Sequence, residues 1–145
     1  MKKYICYFVL FALCSCNDMN IKIQKIETPT DCVTNYGWSW NDGVAIVTSG
    51  SSCKFEFKSK LSGILSFKYA FLDNNSYCRL DVSIDGKDCF HEHGYDTDTI
   101  QVVLKNISKN SRITFEGYRC MVKDLMVSSS LEEEKPEDNT SPNDF

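Results

Sequence analysis

The sequence predicts an antiparallel all-β domain. Between residues 31 and 128, apolar and polar residues alternate, as in Leu65, Phe67, Tyr69 and Phe71. This period of two gives each strand one buried and one hydrated face. No window of twelve residues shows a helical period of 3.6, so the helical crossovers of α/β nucleotide-binding folds are excluded.

The alternating runs and the turns between them follow one another about every ten residues, as in a sandwich or barrel. The runs lie at residues 54–58, 65–71, 79–84, 100–104 and 113–115. Turn signals lie at residues 41–43, 62–63, 73–75, 85–86, 94 and 109–111. We expect Asp85-Gly86 to close a two-residue hairpin, with Ile84 opposite Lys87 and Val82 opposite Cys89.

The first sixteen residues, MKKYICYFVLFALCSC, predict export. Two lysines precede an uncharged run of eleven residues, which is too short to span ~30 Å of hydrocarbon as a helix but suits a signal peptide. The ending Leu13-Cys14-Ser15-Cys16 resembles the lipobox of bacterial lipoproteins. This resemblance implies a signal peptide over residues 1–15 and lipid attachment at Cys16. The alternative is a secreted protein with an unlipidated Cys16.

By resemblance to the lipoprotein sorting rule, Asn17 after the cysteine favours the outer membrane, with the leaflet left open. Residues 16–30 are interpreted as a tether, to which Ile21, Ile23 and Ile26 can add an edge strand. Residues 129–145 hold six acids and one lysine and are predicted to be a disordered acidic tail. The 145-residue chain carries a net charge of −4 without a clustered basic face, so no nucleic-acid partner is expected.

Four segments in order resemble the jelly-roll modules of bacterial surface proteins, which are similar to carbohydrate-binding modules and MAM-like domains. They are residues 62–69 (SGILSFKY), 80–86 (LDVSIDG), 112–117 (RITFEG) and 122–125 (VKDL). The resemblance covers about residues 36–128. It implies a two-sheet antiparallel jelly-roll β-sandwich over residues 31–128 that binds or spaces without catalysis. The last segment departs from an acidic residue followed by Asn-Ile, which weakens any metal or ligand role for that strand.

The candidate ligand contacts are the aromatic residues Tyr36, Trp38, Trp40 and Tyr95. On an extended segment, Trp38 and Trp40 share one face, and exposed rings there form a platform for a sugar. The alternative is that both tryptophans close the open end of the sandwich as part of the core.

Cys89, His91 and His93 are weak metal candidates, because alternate residues of a strand project to one face. Asp96 or Asp98 would complete such a site. Ligands two residues apart lie ~6.6–7 Å from one another, which strains a three-ligand set, and polar residues near the turn at Gly94 are expected anyway. The sequence therefore predicts no metal at this position.

Residues 73–75 and 95–98 offer oxygen ligands for calcium. The same side chains also form turns by bonding to their own backbone. No cofactor is expected.

Five cysteines follow Cys16, namely Cys32, Cys53, Cys78, Cys89 and Cys120. An odd number permits at most two disulfides and leaves one thiol, and buried thiols are the alternative. In the expected hairpin, Cys78 lies ~13 Å along the strand from the partner of Cys89, which disfavours a bridge between them.

We therefore expect an outer-membrane lipoprotein that presents a non-catalytic module and binds a glycan or surface polymer. The alternative is a protein-interaction subunit of an envelope complex or an inhibitor of a secreted enzyme. No catalytic residue is predicted, because both histidines lie in one short segment without a recognisable nucleophile motif. The expected partners are a membrane, through the lipid, and a glycan or envelope protein.

Overall fold

The computed structural model describes residues 21–48 and 53–129. This part of the chain forms strands and one short 3-10 helix over Pro29–Asp31. The strands are β1 (Ile23–Lys25), β2 (Thr34–Tyr36), β3 (Ser39–Asn41), β4 (Val44–Val47), β5 (Cys53–Lys58), β6 (Gly63–Phe71), β7 (Cys78–Ile84), β8 (Lys87–Gly94), β9 (Ile100–Ile107), β10 (Arg112–Tyr118) and β11 (Cys120–Ser129).

The strands form two antiparallel sheets. One sheet has the order β3-β4-β11-β6-β9, and β1 pairs with the C-terminal part of β11. The other sheet has the order β2-β5-β10-β7-β8. The predicted two-sheet antiparallel sandwich is confirmed, and β8 and β9, although consecutive in the chain, are edge strands of different sheets.

The alternating residues of both sheets form one core. Along β6, Leu65, Phe67, Tyr69 and Phe71 are all buried, as predicted from the period of two. At the centre, the rings of Phe67 and Phe115 meet edge to face with centroids 5.0 Å apart. Burial of each large apolar side chain contributes roughly 1.5–3 kcal/mol to stability.

The hairpin between β7 and β8 differs from the prediction in one respect. Asp85 and Gly86 have φ values of 52° and 80°, as a two-residue turn of this kind requires, and Ile84 pairs with Lys87 as predicted. Val82, however, pairs with Phe90 and not with Cys89, because the register shifts between Val82 and Ser83. This bulge directs Phe90 to the core, where its ring packs against that of Phe67 at 5.8 Å.

The folded unit begins before residue 31. β1 pairs with β11, Ile26 is only 1% exposed, and the Ser129 amide donates to the Lys22 carbonyl at 2.9 Å. The backbone of this segment thus adds a sixth strand to the sheet of β11, and Ile26 is buried in the core whereas Ile23 is 53% exposed. The predicted signal peptide, Cys16 and the tail beyond Ser129 lie outside the described residues. Within residues 21–48 and 53–129, no helix has the length and apolarity needed to cross a membrane.

In the described part of the chain, the thiols of Cys32, Cys78, Cys89 and Cys120 are free. Cys78 pairs with Gly94 in the register of β7 and β8, which separates it from Cys89 as expected. Burial raises the pKa of the Cys120 thiol to about 12 and that of Cys32 to about 11. Both groups therefore stay protonated thiols at neutral pH, Cys120 buried and Cys32 half-buried, and are not reactive thiolates.

Candidate ligand-binding pocket

A pocket of about 270 Å³ opens where β8 ends and β9 begins. Because these strands belong to different sheets, the loop 95–99 crosses the open side of the sandwich. We call this cavity the β8–β9 pocket. Its lining consists of Tyr69, Phe71, Phe90, Glu92, His93, Gly94, Tyr95, Asp96 and Ile100.

The floor of the pocket is aromatic. Tyr69 and Phe71 are alternate residues of β6, and Tyr69 pairs with Ile100 of β9. The Tyr69 ring lies 5.5 Å from the rings of both Phe71 and Phe90. The bulge in β8 makes this arrangement possible, because it directs Phe90 toward β6. The floor therefore consists of packed aromatic rings that are continuous with the core.

The rim of the pocket is polar and exposed. Glu92, His93, Tyr95 and Asp96 surround the opening, and the Tyr95 side chain is 54% exposed. The Asp96 carboxylate accepts the Asp98 amide at 2.9 Å, which orders the loop by an Asx turn.

The pocket carries negative charge. Burial, which is the largest cause, and the carboxylates of Glu92 and Asp96 together raise the pKa of Tyr69 to about 12. No lysine or arginine occurs between Asp88 and Ile100. Among the ion pairs of residues 21–48 and 53–129, none includes Glu92 or Asp96.

Exposed aromatic rings continue from the pocket onto the neighbouring surface. Tyr77, just before β7, lies 5.6 Å from the His93 ring and 6.5 Å from the Tyr95 ring. It is 48% exposed. Tyr77 is not recognisable as a candidate from the sequence, because only the pairing of Cys78 with Gly94 brings this turn beside β8.

The structure does not bring the four predicted aromatic contacts together. Tyr95 lies on the pocket rim after β8. Tyr36 is 68% exposed on β2, which is the opposite edge of the five-stranded sheet from β8. Trp38 is only 4% exposed and meets the Phe55 ring edge to face at 5.0 Å. Trp40 is half-buried and donates its indole N–H to Asn35 Oδ1 at 3.0 Å. Trp38 therefore occupies a core position, which is the alternative to an exposed platform, and its ring is not accessible to a sugar.

The weak metal candidates are already engaged with other groups. His91 Nδ1 contacts the Asp81 carboxylate, and its Nε2 lies 3.3 Å from His93 Nδ1. The Cys89 thiol contacts the Lys87 carbonyl at 3.3 Å. The bulge interrupts the alternation that would align positions 89, 91 and 93. Within residues 21–48 and 53–129, no three His, Cys, Asp or Glu residues form a group suited to a metal ion.

The oxygen-rich loop at residues 73–75 bonds to the protein itself. The Asp73 carboxylate accepts the Asn75 amide at 2.7 Å and pairs with Arg119 at 3.3 Å. The Asn75 amide is also the main reason why the pKa of Asp73 is lowered. The Asx turn considered as the alternative to calcium is therefore present here.

Neither a protein-family model nor a curated protein sequence matches the chain. Solved structures similar to it include carbohydrate-binding modules and chains of glycoside hydrolases. The C-terminal CBM6 of LamC, a marine laminarinase from Zobellia galactanivorans, has a TM-score of 0.50 and 6% identity over 74% of this chain and 98% of that one. Tandem CBM51 modules of Sp3GH98 from Streptococcus pneumoniae have a TM-score of 0.51 and 12% identity, over 76% and 42%.

CBM51-2 of ZmpB from Clostridium perfringens, in complex with GlcNAc and together with INT domains, has a TM-score of 0.52 and 11% identity. The match covers 83% of this chain and 31% of that one. The chain therefore spans nearly the whole CBM6 module but under half of the other two chains. At these identities the likeness shows the fold, and the jelly-roll β-sandwich is confirmed.

Proposed function

We propose that this chain is a cell-envelope lipoprotein whose β-sandwich is a non-catalytic module that binds a glycan or surface polymer. The observation that carries the proposal is the β8–β9 pocket, with its aromatic floor and carboxylate rim. Small-ligand sites typically combine apolar walls with a few polar groups that fix orientation. The fold shared with carbohydrate-binding modules supports the same proposal.

The pocket offers the two kinds of contact that a sugar ring needs. The apolar C–H face of a pyranose can stack on Tyr95, the exposed aromatic ring of the rim. The carboxylates of Glu92 and Asp96 can accept hydrogen bonds from hydroxyl groups, and bonds to charged acceptors are the stronger ones. A volume of about 270 Å³ suits a single sugar unit.

The position of Tyr77 suits a chain of sugars. Its ring lies outside the pocket lining but within 6.5 Å of Tyr95. A unit next to the one in the pocket would meet this second ring. We therefore assign Tyr77 and Tyr95 to neighbouring units of one polymer.

The histidine contacts support a non-catalytic role. His91 contacts both Asp81 and His93, so the two rings are engaged with other side chains. A general base must lie within hydrogen-bond reach of the group that it activates.

The location follows from the N-terminal sequence. In the proposal, Cys16 carries the lipid and Asn17 directs the protein to the outer membrane. Since the sandwich already includes Lys22, the tether is shorter than residues 16–30. Several acyl chains on one cysteine give a stable anchor.

A glycan array and calorimetry with the full-length chain in detergent test the binding function. We expect binding to one class of glycan and an about tenfold loss of affinity in Tyr95→Ala, which corresponds to ~1.4 kcal/mol. Tyr36→Ala is the matched control, since Tyr36 is also an exposed tyrosine but lies on β2, at the other edge of the five-stranded sheet. Silence across the array, with one stoichiometric protein recovered from envelope extract, would replace the proposal by the protein-interaction function.

A further inference from the structure

We infer that the sugar unit bound in the β8–β9 pocket carries a free ammonium group, as in an amino sugar whose nitrogen is not acetylated. This inference rests on the proposed glycan-binding function and narrows its ligand. It follows from three features of the pocket, namely unpaired negative charge, aromatic walls and the number of available acceptors.

The two carboxylates of the pocket are not neutralised by a basic side chain of the described residues. The described residues include thirteen basic and thirteen acidic side chains, so this part of the chain has no net charge. On the outer face of the five-stranded sheet, Glu56 and Glu116 each pair with an arginine, and Asp81 pairs with an arginine and a histidine. Glu92 and Asp96 lack such a partner, as do six other carboxylates of the described residues, but these two lie together in the lining of one pocket. A cationic ligand there would supply a counter-charge to both.

Aromatic rings around these carboxylates favour an organic cation. Tyr69, Phe90 and Tyr95 all line the pocket, and the faces of such rings attract ammonium groups. The high pKa of Tyr69, about 12, keeps its hydroxyl neutral at ordinary pH. The oxygen of this hydroxyl can then accept a hydrogen bond from a ligand.

The number of acceptors matches an ammonium group better than a metal ion. A primary ammonium donates three hydrogen bonds, and three residues of the pocket lining, Tyr69, Glu92 and Asp96, carry side-chain oxygens that can accept them. Calcium requires 6–8 oxygen ligands. No group of at least three metal-binding side chains forms in the described part of the chain, and one oxygen of Asp96 already accepts the Asp98 amide.

The same electrostatics select against acidic sugars. A uronate in the pocket would place a third carboxylate beside Glu92 and Asp96 without an arginine or lysine in the lining. An N-acetylated sugar would lose the charge and two of the three donors. We therefore expect the free amine to bind most tightly, a neutral or acetylated sugar less tightly, and a uronate least tightly.

The test is calorimetric titration of the full-length chain in detergent with two matched probes, a glucosamine hexamer and an N-acetylglucosamine hexamer. A neutral glucose hexamer and a hexalysine peptide complete the set. We expect the free amine to bind about tenfold more tightly than the acetylated hexamer. This preference should weaken with added salt, because the carboxylates are exposed.

Two variants assign the preference to the pocket. Glu92→Gln and Asp96→Asn should each reduce the preference for the amine severalfold, and the asparagine keeps an oxygen for the Asx turn. Glu116→Gln is the matched control, because Glu116 is a carboxylate of the same sheet outside the pocket lining. It should leave the preference unchanged.

The outcomes separate this inference from the function on which it rests. Equal or tighter binding of the acetylated or neutral hexamer, with the same dependence on Tyr95, would overturn the inference and leave glycan binding intact. Binding that requires calcium and is lost with a chelator would overturn it in favour of a metal site. Failure of every sugar would overturn the proposed function itself, and hexalysine binding alone would point to a basic peptide.

Discussion

Two aromatic regions of this sandwich differ in what surrounds their rings. The first region, the β2–β3 corner, contains Trp38 and Trp40 with Phe55, Gly117 and Cys120 packed nearby. Trp38 is 4% exposed, and the rings of Trp38 and Trp40 each lie 5.0 Å from the Phe55 ring. At the β8–β9 pocket, Tyr95 is 54% exposed and stands beside carboxylates. Apolar contacts fill the corner, although the Trp38 indole N–H is buried there without a hydrogen-bond partner among the described residues, whereas the pocket is open to solvent. The burial of the rings, and not the residue type, distinguishes the two regions.

A glycine in each region shows how this difference arises. A Cβ on Gly117 would lie 2.6 Å from Trp38 Cζ2 and 2.7 Å from Cys120 Sγ, so the absence of a side chain creates the place for the indole. At Gly94, on the pocket, a Cβ would meet nothing within 4 Å. Protein atoms therefore surround Gly117 closely in the corner, whereas the space beside Gly94 at the pocket is open.

The largest effect is expected from the corner. Phe55 is fully buried between Trp38, Trp40 and Phe115. Phe55→Ala should lower the free energy of unfolding by about 3–5 kcal/mol in urea titrations. Tyr77→Ala, in the exposed region, should change it by less than about 0.5 kcal/mol. Similar losses for both variants would contradict the division into a filled corner and an open pocket.

Alkaline pH should also lower the free energy of unfolding, through deprotonation of Cys120 in the corner. The pKa of Cys120 is about 12 in the folded protein against 9.0 as its ordinary value. The unfolded chain thus releases this proton first. The stabilisation is complete below pH 9 and is lost as the pH rises toward 12, by up to about 4 kcal/mol.

Unfolding free energies measured from pH 8 to 11 check this expectation. Cys120→Ala should reduce the loss of unfolding free energy as the pH rises. Part of this loss should remain, because the pKa values of Tyr69 and Cys32 are also raised. Val122→Ala is the control, because Val122 is a buried neighbour on β11 that does not titrate. An unchanged slope in Cys120→Ala would refute the assignment.

Gly117→Ala should destabilise the protein by about 1–3 kcal/mol through overpacking against Trp38. Trp38→Phe removes the ring atoms that the new Cβ would meet. The double variant should therefore lose less stability than the sum of the two single variants. Simple additivity in thermal or urea unfolding would show that the indole does not depend on the glycine.

The sequence predicted the strands more completely than their registers. The period of two identified most of β5, β6, β7 and β10, because alternation is a local consequence of having one buried face. It did not show the bulge opposite Val82 or the register shift between Lys123 and Met126, where Asp124 has a φ of 51°. Such shifts depend on pairing with distant strands, which a single segment does not reveal.

The pocket was predictable only in part for the same reason. Tyr95 was identifiable as an aromatic residue in a loop, but Tyr69 was interpreted as core and Glu92 was not considered. These side chains come from β6, β8 and the following loop, which belong to two different sheets. Trp38 was ambiguous because its burial depends on Gly117, far along the chain. A local pattern predicts on which face of its strand a residue lies. Which residues lie together in a pocket follows only from the order and pairing of the strands.

The smallest expected effect tests how far the open region extends. If Tyr77 contacts the sugar next to the one in the pocket, Tyr77→Ala should weaken binding of an oligosaccharide threefold to tenfold, or about 1 kcal/mol. The same variant should leave binding of a monosaccharide unchanged, because Tyr77 is outside the pocket lining.

Calorimetry with a monomer and a hexamer of the same sugar separates these cases. Tyr95→Ala serves as the comparison, since it should weaken both ligands. An equal loss for monomer and hexamer in Tyr77→Ala would place Tyr77 within the first subsite and shorten the proposed binding surface. A loss for the hexamer alone means that the surface recognises a polymer, because a ring that a single sugar never reaches contributes only when a second unit is present.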